Sequence, residues 1–432
     1  MNKKGYIDPG TGGYLLTSLW GWLVGIFTVV ITIIVHFFRV QLKGWWIRLP
    51  KKYKLMVILI PVIIVIGVVG FFIYKDQTGY KMPKYDPALV NVTVNTDRAY
   101  EGYTFLEGKL IDMSGEIVNE WPYGYLGVID DNGDLYAQQE YESAIWGRYS
   151  WNGSMIWEKD IPIHHEILLT PQDTVIVLTK KVHEYKERNV EFDVILELDK
   201  NGTPIKKWST WDHLEELRQY HNNLELDKSP SLLLVDNTWK NTSIWGGNYD
   251  YYHMNAVSLV PENSRQGQHP AFTPGNYIIS FRHGSMVFII DSNTGNVLWR
   301  AIYDQVEDNL EGPHSPHMME DGNIMIYDNG RYREWTRLLL LNPVNLSVEW
   351  EYRDDEFFSY SQGYVQPLPN DNLLVTESEE GHVFELDPSG SIVWEWWHPE
   401  MYDNVSLEIY GYRHDLYRAI RYEKEFIDGF LE

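Results

Sequence analysis

Phe384 to Trp394, FELDPSGSIVW, is an apolar pair and an Asp, then a turn with Gly, then β-branched residues ending on a tryptophan. The glycine supplies the positive-φ position of a tight turn, so the stretch predicts a β-hairpin. The phrase returns five more times: LIDMSGEIVNEW to Trp121, RYSWNGSMIW to Trp157, LELDKNGTPIKKW to Trp208, IIDSNTGNVLW to Trp299 and LLLNPVNLSVEW to Trp350. Repetition at intervals of tens of residues marks a repeat array. Four-stranded blades of this kind close into a β-propeller, which removes most exposed strand edges. The expected fold is therefore all-β, a six-bladed β-propeller with seven blades as the alternative. The wide interval between Trp208 and Trp299 holds a polar segment, Trp211 to Tyr252, that reads as an insertion with a short helix within Asp212 to Tyr220.

A second phrase precedes the outer hairpin in several repeats. It reads HEILLTPQDTVIVL from His165, HSPHMMEDGNIMIY from His314 and GYVQPLPNDNLLVT from Gly363. His165 stands eight residues before Asp173, and His314 eight before Gly322. Two histidines at one repeat position should lie at equal depth near the central channel. After His314 come two turn signals, Glu320-Asp321-Gly322-Asn323 and Asp328-Asn329-Gly330, flanking a short apolar strand. The first reading puts His314 and His317 on a loop and treats both turns as mainly architectural.

Composition fits this architecture. Aromatic residues make up 15% of the chain, with 18 Trp and 30 Tyr, and flat rings suit pleated surfaces. With no cysteine, disulfides, thiolate zinc sites and cysteine nucleophiles are excluded. A net charge of -25 argues against a nucleic-acid partner, whose phosphates select basic surfaces.

The charge is unevenly spread. The first 74 residues hold eight Lys or Arg and one acid, Asp8, so nearly all of the 61 acidic residues fall in the body. Tyr14 to Phe38 and Leu55 to Tyr74 are each apolar and long enough to span a bilayer as a helix. Pro61 in the second is tolerable inside a membrane helix. Between them lie Arg39, Lys43, Arg48, Lys51, Lys52 and Lys54 with no acid, so this loop is expected to be cytoplasmic. Residues 1–80 then form a two-pass membrane anchor, and residues 81–432 an extracytoplasmic propeller, at the cell surface or in the periplasm.

The chemistry-bearing residues of the body are His164, His165 and Glu166, His253, Arg282 with His283, and His314 with His317. Loops at one end of a propeller bring distant residues together. Imidazoles with a guanidinium could bind an oxyanion, coordinate a metal, or pass a group through nitrogen. Short-spaced metal ligand pairs are missing, and Pro316 restricts chelation by His314 and His317. No GxSxG elbow occurs.

Five blocks in order, HHEI, HMNAV, YIISFRH, IIDSNTGNVLW and PHSPHMMEDGNIMIYDNG, together resemble the arylsulfotransferase family of PAPS-independent propeller enzymes. The corresponding family phrases are HHDI, HxNS, IISSR, D-TG-W, and QHDA or QHTA followed by DGN and DNG. The likeness spans about His164 to Tyr422 and includes YRAIRY. It implies ping-pong transfer of a sulfuryl group from an aryl sulfate donor to a phenolic acceptor through a sulfated histidine, with no cofactor and no metal. Carried over by motif, His314 is the nucleophile, with His253, Arg282 and His165 as catalytic partners. In this carry-over His253 or His165 donates to the sulfuryl oxygens or to the leaving phenolate. Arg337, His317 and Asn255 are expected to contact substrate. The chain departs from the pattern at Pro313 for Gln, Glu166 for Asp and Ala256 for Ser. The alternative function is a non-catalytic extracytoplasmic propeller that binds a ligand, glycan or partner protein.

Overall fold

The computed structural model describes residues 88–431 except 141–142, 221–242 and 405–408, with Lys43, Trp46, Arg48, Pro50 and Asp86 besides. The chain divides after Lys81 into two compact units. The expected spans Tyr14–Phe38 and Leu55–Tyr74 lie outside the described residues. Among the described residues, no helix is long and apolar enough to cross a membrane.

The second unit is a six-bladed β-propeller of four-stranded antiparallel blades. Blade 1 takes its innermost strand, Ala419–Glu423, from the C-terminus and its other three from Gly102–Leu106, Lys109–Ile111 and Ile117–Glu120. Blade 2 runs from Gly127–Ile129 to Met155–Asp160, and blade 3 from His164–Leu169 to Pro204–Ser209. Blade 4 runs from Met254–Leu259 to Val297–Ile302, and blade 5 from His314–Met318 to Val348–Tyr352. Blade 6, Tyr364–Pro367 to Ile392–Trp397, gains a fifth strand at its outer edge from Asn91–Asn95. The first strand and the last strand of the propeller thus each complete a blade begun elsewhere in the chain.

The recurring tryptophan has a structural reason. All six Trp-ending phrases are the outer hairpins of the blades, and the tryptophan sits on the outermost of the four strands or, for Trp121, one residue past its end. In five of them the indole N–H donates to a carbonyl in the outer-hairpin turn of the next blade. Trp121 reaches Ser150 (3.1 Å), Trp157 reaches Lys200 (3.0 Å), Trp208 reaches Gly295 (3.0 Å), and Trp299 reaches Pro343 (2.6 Å). Trp394 of blade 6 donates to Met113 of blade 1 at 3.0 Å, so the relay crosses the closure of the ring. Each link contributes about 1 kcal/mol net and tells each blade which neighbour it packs on. The core lies between blades: Ile279, Phe281 and Phe288 of blade 4 pack on Ile195 and Phe192 of blade 3, all fully or almost fully buried.

The insertion after Trp208 contains the expected short helix, Leu214–Leu217. It then returns a two-residue strand, Tyr249–Asp250, parallel to Val190 and Glu191 of blade 3. A C-terminal helix, Lys424–Leu431, packs beside blade 1, and its Phe430 stacks on Trp151 in the outer turn of blade 2.

Candidate active site

The inner strands of blades 3, 4 and 5 lie side by side, with Met254–Leu259 against His164–Leu169 and against His314–Met318. Each bends near its start. His165, His253 and Ser315 take φ of 59°, 54° and 49°, a left-handed conformation that costs an ordinary residue of order 1–3 kcal/mol. The ladders slip at the same places: Leu178 faces His164 and Tyr327 faces His314, with a register shift just beyond each. Such bulges re-aim side chains. Blade 3 carries one more residue than blade 5 in this bend, so the eight-residue spacing equates His165 with His314, whereas strand pairing equates His164 with His314. His314 and His317 therefore stand on a strand, where the sequence suggested a loop.

The bends bring the expected residues together. The His165 ring lies 4.9 Å from His253 and 6.5 Å from His314 between centroids. His283 lies 5.1 Å from His253. A small, partly open pocket lies here, lined by His165, Asn255, His314, Tyr364, Tyr417 and Arg418 among others.

Hydrogen bonds fix which ring nitrogen is protonated. The Asn329 amide nitrogen donates to the carbonyls of Ser359 (2.8 Å) and Gln362 (2.7 Å). Its oxygen must therefore face His314 Nδ1, 2.6 Å away, and Gly312 O lies 3.0 Å from the same nitrogen. Both partners only accept, so Nδ1 carries the proton and Nε2 keeps its lone pair. His253 Nδ1 likewise donates to Asp250 Oδ2 at 2.7 Å. His164 Nε2 donates to Thr179 O at 3.3 Å. Its Nδ1 must then accept from His165 Nδ1 at 2.9 Å, which leaves the lone pair of His165 on Nε2 as well.

These imidazoles are neutral. Burial, reinforced by Arg282, pushes His314 down to about 3. Burial takes His253 to about 4 even against the pull of Asp250. Burial and the neighbouring His253 push His165 well below its ordinary value. In this state the free Nε2 of His165 and of His253 is an acceptor, so either must first gain a proton before it donates to a substrate oxygen.

Arg282 supplies a positive charge to the site. It is buried, and its Nε and Nη2 have no hydrogen-bond partner. It lies over the Tyr360 ring at 5.6 Å, and Arg331 lies over the same ring at 5.5 Å. Gly312, at φ 66°, runs between them, and a Cβ there would stand 3.1 Å from Arg331 Cδ. Unpartnered buried donors of this kind suit an oxyanion.

Behind His253 lies a group of charges the sequence did not single out. Lys180 Nζ pairs with Asp250 at 2.5 Å and Glu191 at 3.5 Å. Burial alone would protonate Asp250, but Lys180 and His253 outweigh it and hold the carboxyl well below the ordinary range. Asp193, by contrast, is pushed well above that range by burial and by Asp250. Tyr417 and Arg418 also went unassigned: they donate to His165 O at 3.0 and 3.1 Å, and Arg418 pairs with Glu166 at 2.6 Å. Asn329 was hidden in what reads as a simple Asp-Asn-Gly turn.

Three residues expected to contact substrate have other duties. Arg337 is 1% exposed and spends its guanidinium on Asp328, Glu351 and the carbonyls of Glu307 and Asn309. Asn255 borders the cavity but gives its amide N–H to Pro313 O at 2.9 Å, which fixes the chain before His314. His317 Nε2 meets Ser315 Oγ at 3.0 Å, and its ring packs on Tyr364.

Among solved structures, the chain is similar to a protein of unknown function from Bacteroides caccae at 14% identity, with a TM-score of 0.43 over 72% of this chain and 97% of that one. A catalytically inactive virginiamycin B lyase from Staphylococcus aureus is 11% identical, with a TM-score of 0.37 over 72% and 88% of the two chains. Kuenenia stuttgartiensis hydrazine synthase is 10% identical, with a TM-score of 0.36 over 69% and 67%. No curated protein matches the sequence. The family model for arylsulfotransferase (ASST) matches residues 105–399, from the second strand of blade 1 to the end of blade 6, and the chain belongs to that family.

Proposed function

We propose that this protein transfers a sulfuryl group from an aryl sulfate to a phenolic acceptor by a ping-pong route through His314. The observation that carries this reading is the Asn329 lock, which gives a neutral His314 a lone pair on Nε2 beside a cationic, unpartnered Arg282. The Nε2 lone pair attacks sulfur, the bond from sulfur to the aryl oxygen breaks, and its electron pair leaves on the phenolate. The sulfated ring is then cationic, and its Nδ1 proton strengthens its bond to Asn329. Arg282 neutralises the sulfuryl oxygens. In the second half-reaction the acceptor hydroxyl gives its proton to His253 Nε2 as its oxygen takes the sulfuryl group. The imidazolium so formed, paired with Asp250, protonates the next leaving phenolate.

The basic loop between two apolar stretches supports a two-pass anchor with the propeller outside the cytoplasm. The enzymatic reading is tested with purified full-length protein, p-nitrophenyl sulfate and a phenol. Release of nitrophenolate dependent on the acceptor is expected, together with an acid-labile sulfohistidine lost in His314→Ala. Absence of both across varied donors and acceptors would leave a non-catalytic binding propeller.

A further inference from the structure

The strongest unassigned cluster lies away from the imidazoles of the central cavity, where the ring closes. Glu107 occupies the turn between the strands Gly102–Leu106 and Lys109–Ile111 of blade 1. His398 follows the outer strand of blade 6, and His414 stands shortly before the closing strand Ala419–Glu423. One ligand atom from each residue lies within 4.8 Å of the other two. Among the described residues this is the one group of three or more histidines and acids with that property. The central imidazoles do not share it.

The cluster is built rather than incidental. His398 N donates to Gly381 O at 2.8 Å, and His414 N donates to Glu400 O at 3.0 Å. Arg413 clamps the His398 carbonyl at 2.6 Å. The two imidazoles are stacked with centroids 5.0 Å apart and planes at 26°. Gly381, at φ 59°, makes their approach possible, since a Cβ there would lie 2.1 Å from His414 O and 3.0 Å from His398 Cβ. His414 Nδ1 donates to Asp415 O at 2.8 Å, so Nε2 holds the lone pair, the usual outer arrangement of a metal-binding histidine. His398 Nε2 lies 3.4 Å from Glu107 Oε2. Glu107 itself holds a left-handed φ of 47°, beside Gly108 at 80°. Asn, Asp or Gly fill such a turn position with less strain. The turn presents the Glu107 carboxylate to the two imidazoles.

We infer that Glu107, His398 and His414 form a binding site for a divalent transition ion of the zinc type, which staples blade 6 to blade 1. Two imidazoles and a carboxylate match zinc in ligand type, and water completes the coordination. His398 Nδ1 accepts from the Glu400 amide at 3.1 Å, which places its proton on Nε2. Binding moves that proton to Nδ1 and gives up one neutral hydrogen bond in exchange for the metal bonds. Sequence spacing could not show this site, because its ligands come from opposite ends of the propeller.

The test titrates full-length, chelator-treated protein with Zn²⁺ by calorimetry, and with Co²⁺ by its visible absorption. One ion per chain is expected, with the intense visible bands of four-coordinate cobalt and a raised unfolding temperature. Glu107→Gln, conservative and on a surface turn, and His414→Gln should each weaken binding by at least about tenfold. Far-ultraviolet circular dichroism verifies that both variants are folded. His314→Ala should bind as wild type. No stoichiometric ion, or an ion lost in His314→Ala and retained in Glu107→Gln, would overturn the assignment. Neither result depends on sulfuryl transfer.

Discussion

Replacing His314 with Gln should change how stability depends on pH by an amount the structure fixes. His314 is neutral when folded, with its ionisation pushed down to about 3 by burial and by Arg282. Unfolded, it returns to an ordinary value of about 6.5. Between these values the unfolded chain binds a proton that the folded chain refuses, so stability falls as pH falls. The slope is about 1.4 kcal/mol per pH unit. Between pH 7.5 and 5.0 the native imidazole stays unprotonated while the unfolded one becomes almost fully charged, and the loss assigned to His314 alone is about 2 kcal/mol. Glutamine does not titrate, and its amide N–H can still reach Gly312 O and Asn329 Oδ1. The other buried imidazoles, His253 and His317 at about 4 and His164, His165 and His283 well below their ordinary value, remain in both proteins and cancel. Urea denaturation followed by tryptophan fluorescence at the two pH values measures the difference directly. The variant should be the less stable at pH 7.5, and should lose about 2 kcal/mol less than wild type on acidification. Identical pH dependence in the two proteins would mean that His314 is not held neutral by burial, and the tautomer argument would fall with it.

Asp250→Asn keeps an acceptor for His253 but removes the charge that supports its imidazolium; kcat should fall by roughly 100-fold, while Lys180 keeps Glu191. An unchanged kcat would remove His253 from proton transfer. Arg337→Met strips Asp328 and Glu351 of a buried partner and should cost about 3–5 kcal/mol of stability, with kcat nearly unchanged at a temperature where the variant is folded. A large loss of kcat there would return Arg337 to the substrate site. The chain has no cysteine, so topology can be read from single introduced thiols. Val344→Cys, on an exposed blade turn, should react with an impermeant maleimide in intact cells, and Lys51→Cys only after permeabilisation; the reverse pattern would invert the proposed orientation.

The six outer hairpins were legible because a tight turn and a tryptophan four to six residues beyond its glycine or asparagine are local signals. His165, His253, Arg282 and His314 were singled out by motif, and the bends at the starts of the inner strands bring them together. What stayed hidden depends on contacts between blades. Asp250 stands three residues before His253, but its pairing with Lys180 appears only when the insertion returns a short strand to blade 3. Asn329 reads as turn chemistry until the carbonyls of Ser359 and Gln362 from the next blade occupy its amide nitrogen. Arg337 shows the opposite failure, since a motif position suggested substrate where four local acceptors claim the side chain.

The strand that completes blade 1 also imposes an order of assembly. Tyr417 and Arg418, which hold His165 O and Glu166, lie about 250 residues beyond the strand they support. Blades 2 to 5 can form hairpin by hairpin, but the imidazole pocket acquires its final wall only after Ala419–Glu423 has reached back to blade 1. A chain truncated just before Tyr417 would carry His165, His253, Arg282 and His314 and still lack that wall, so closing the ring and completing the pocket are one event.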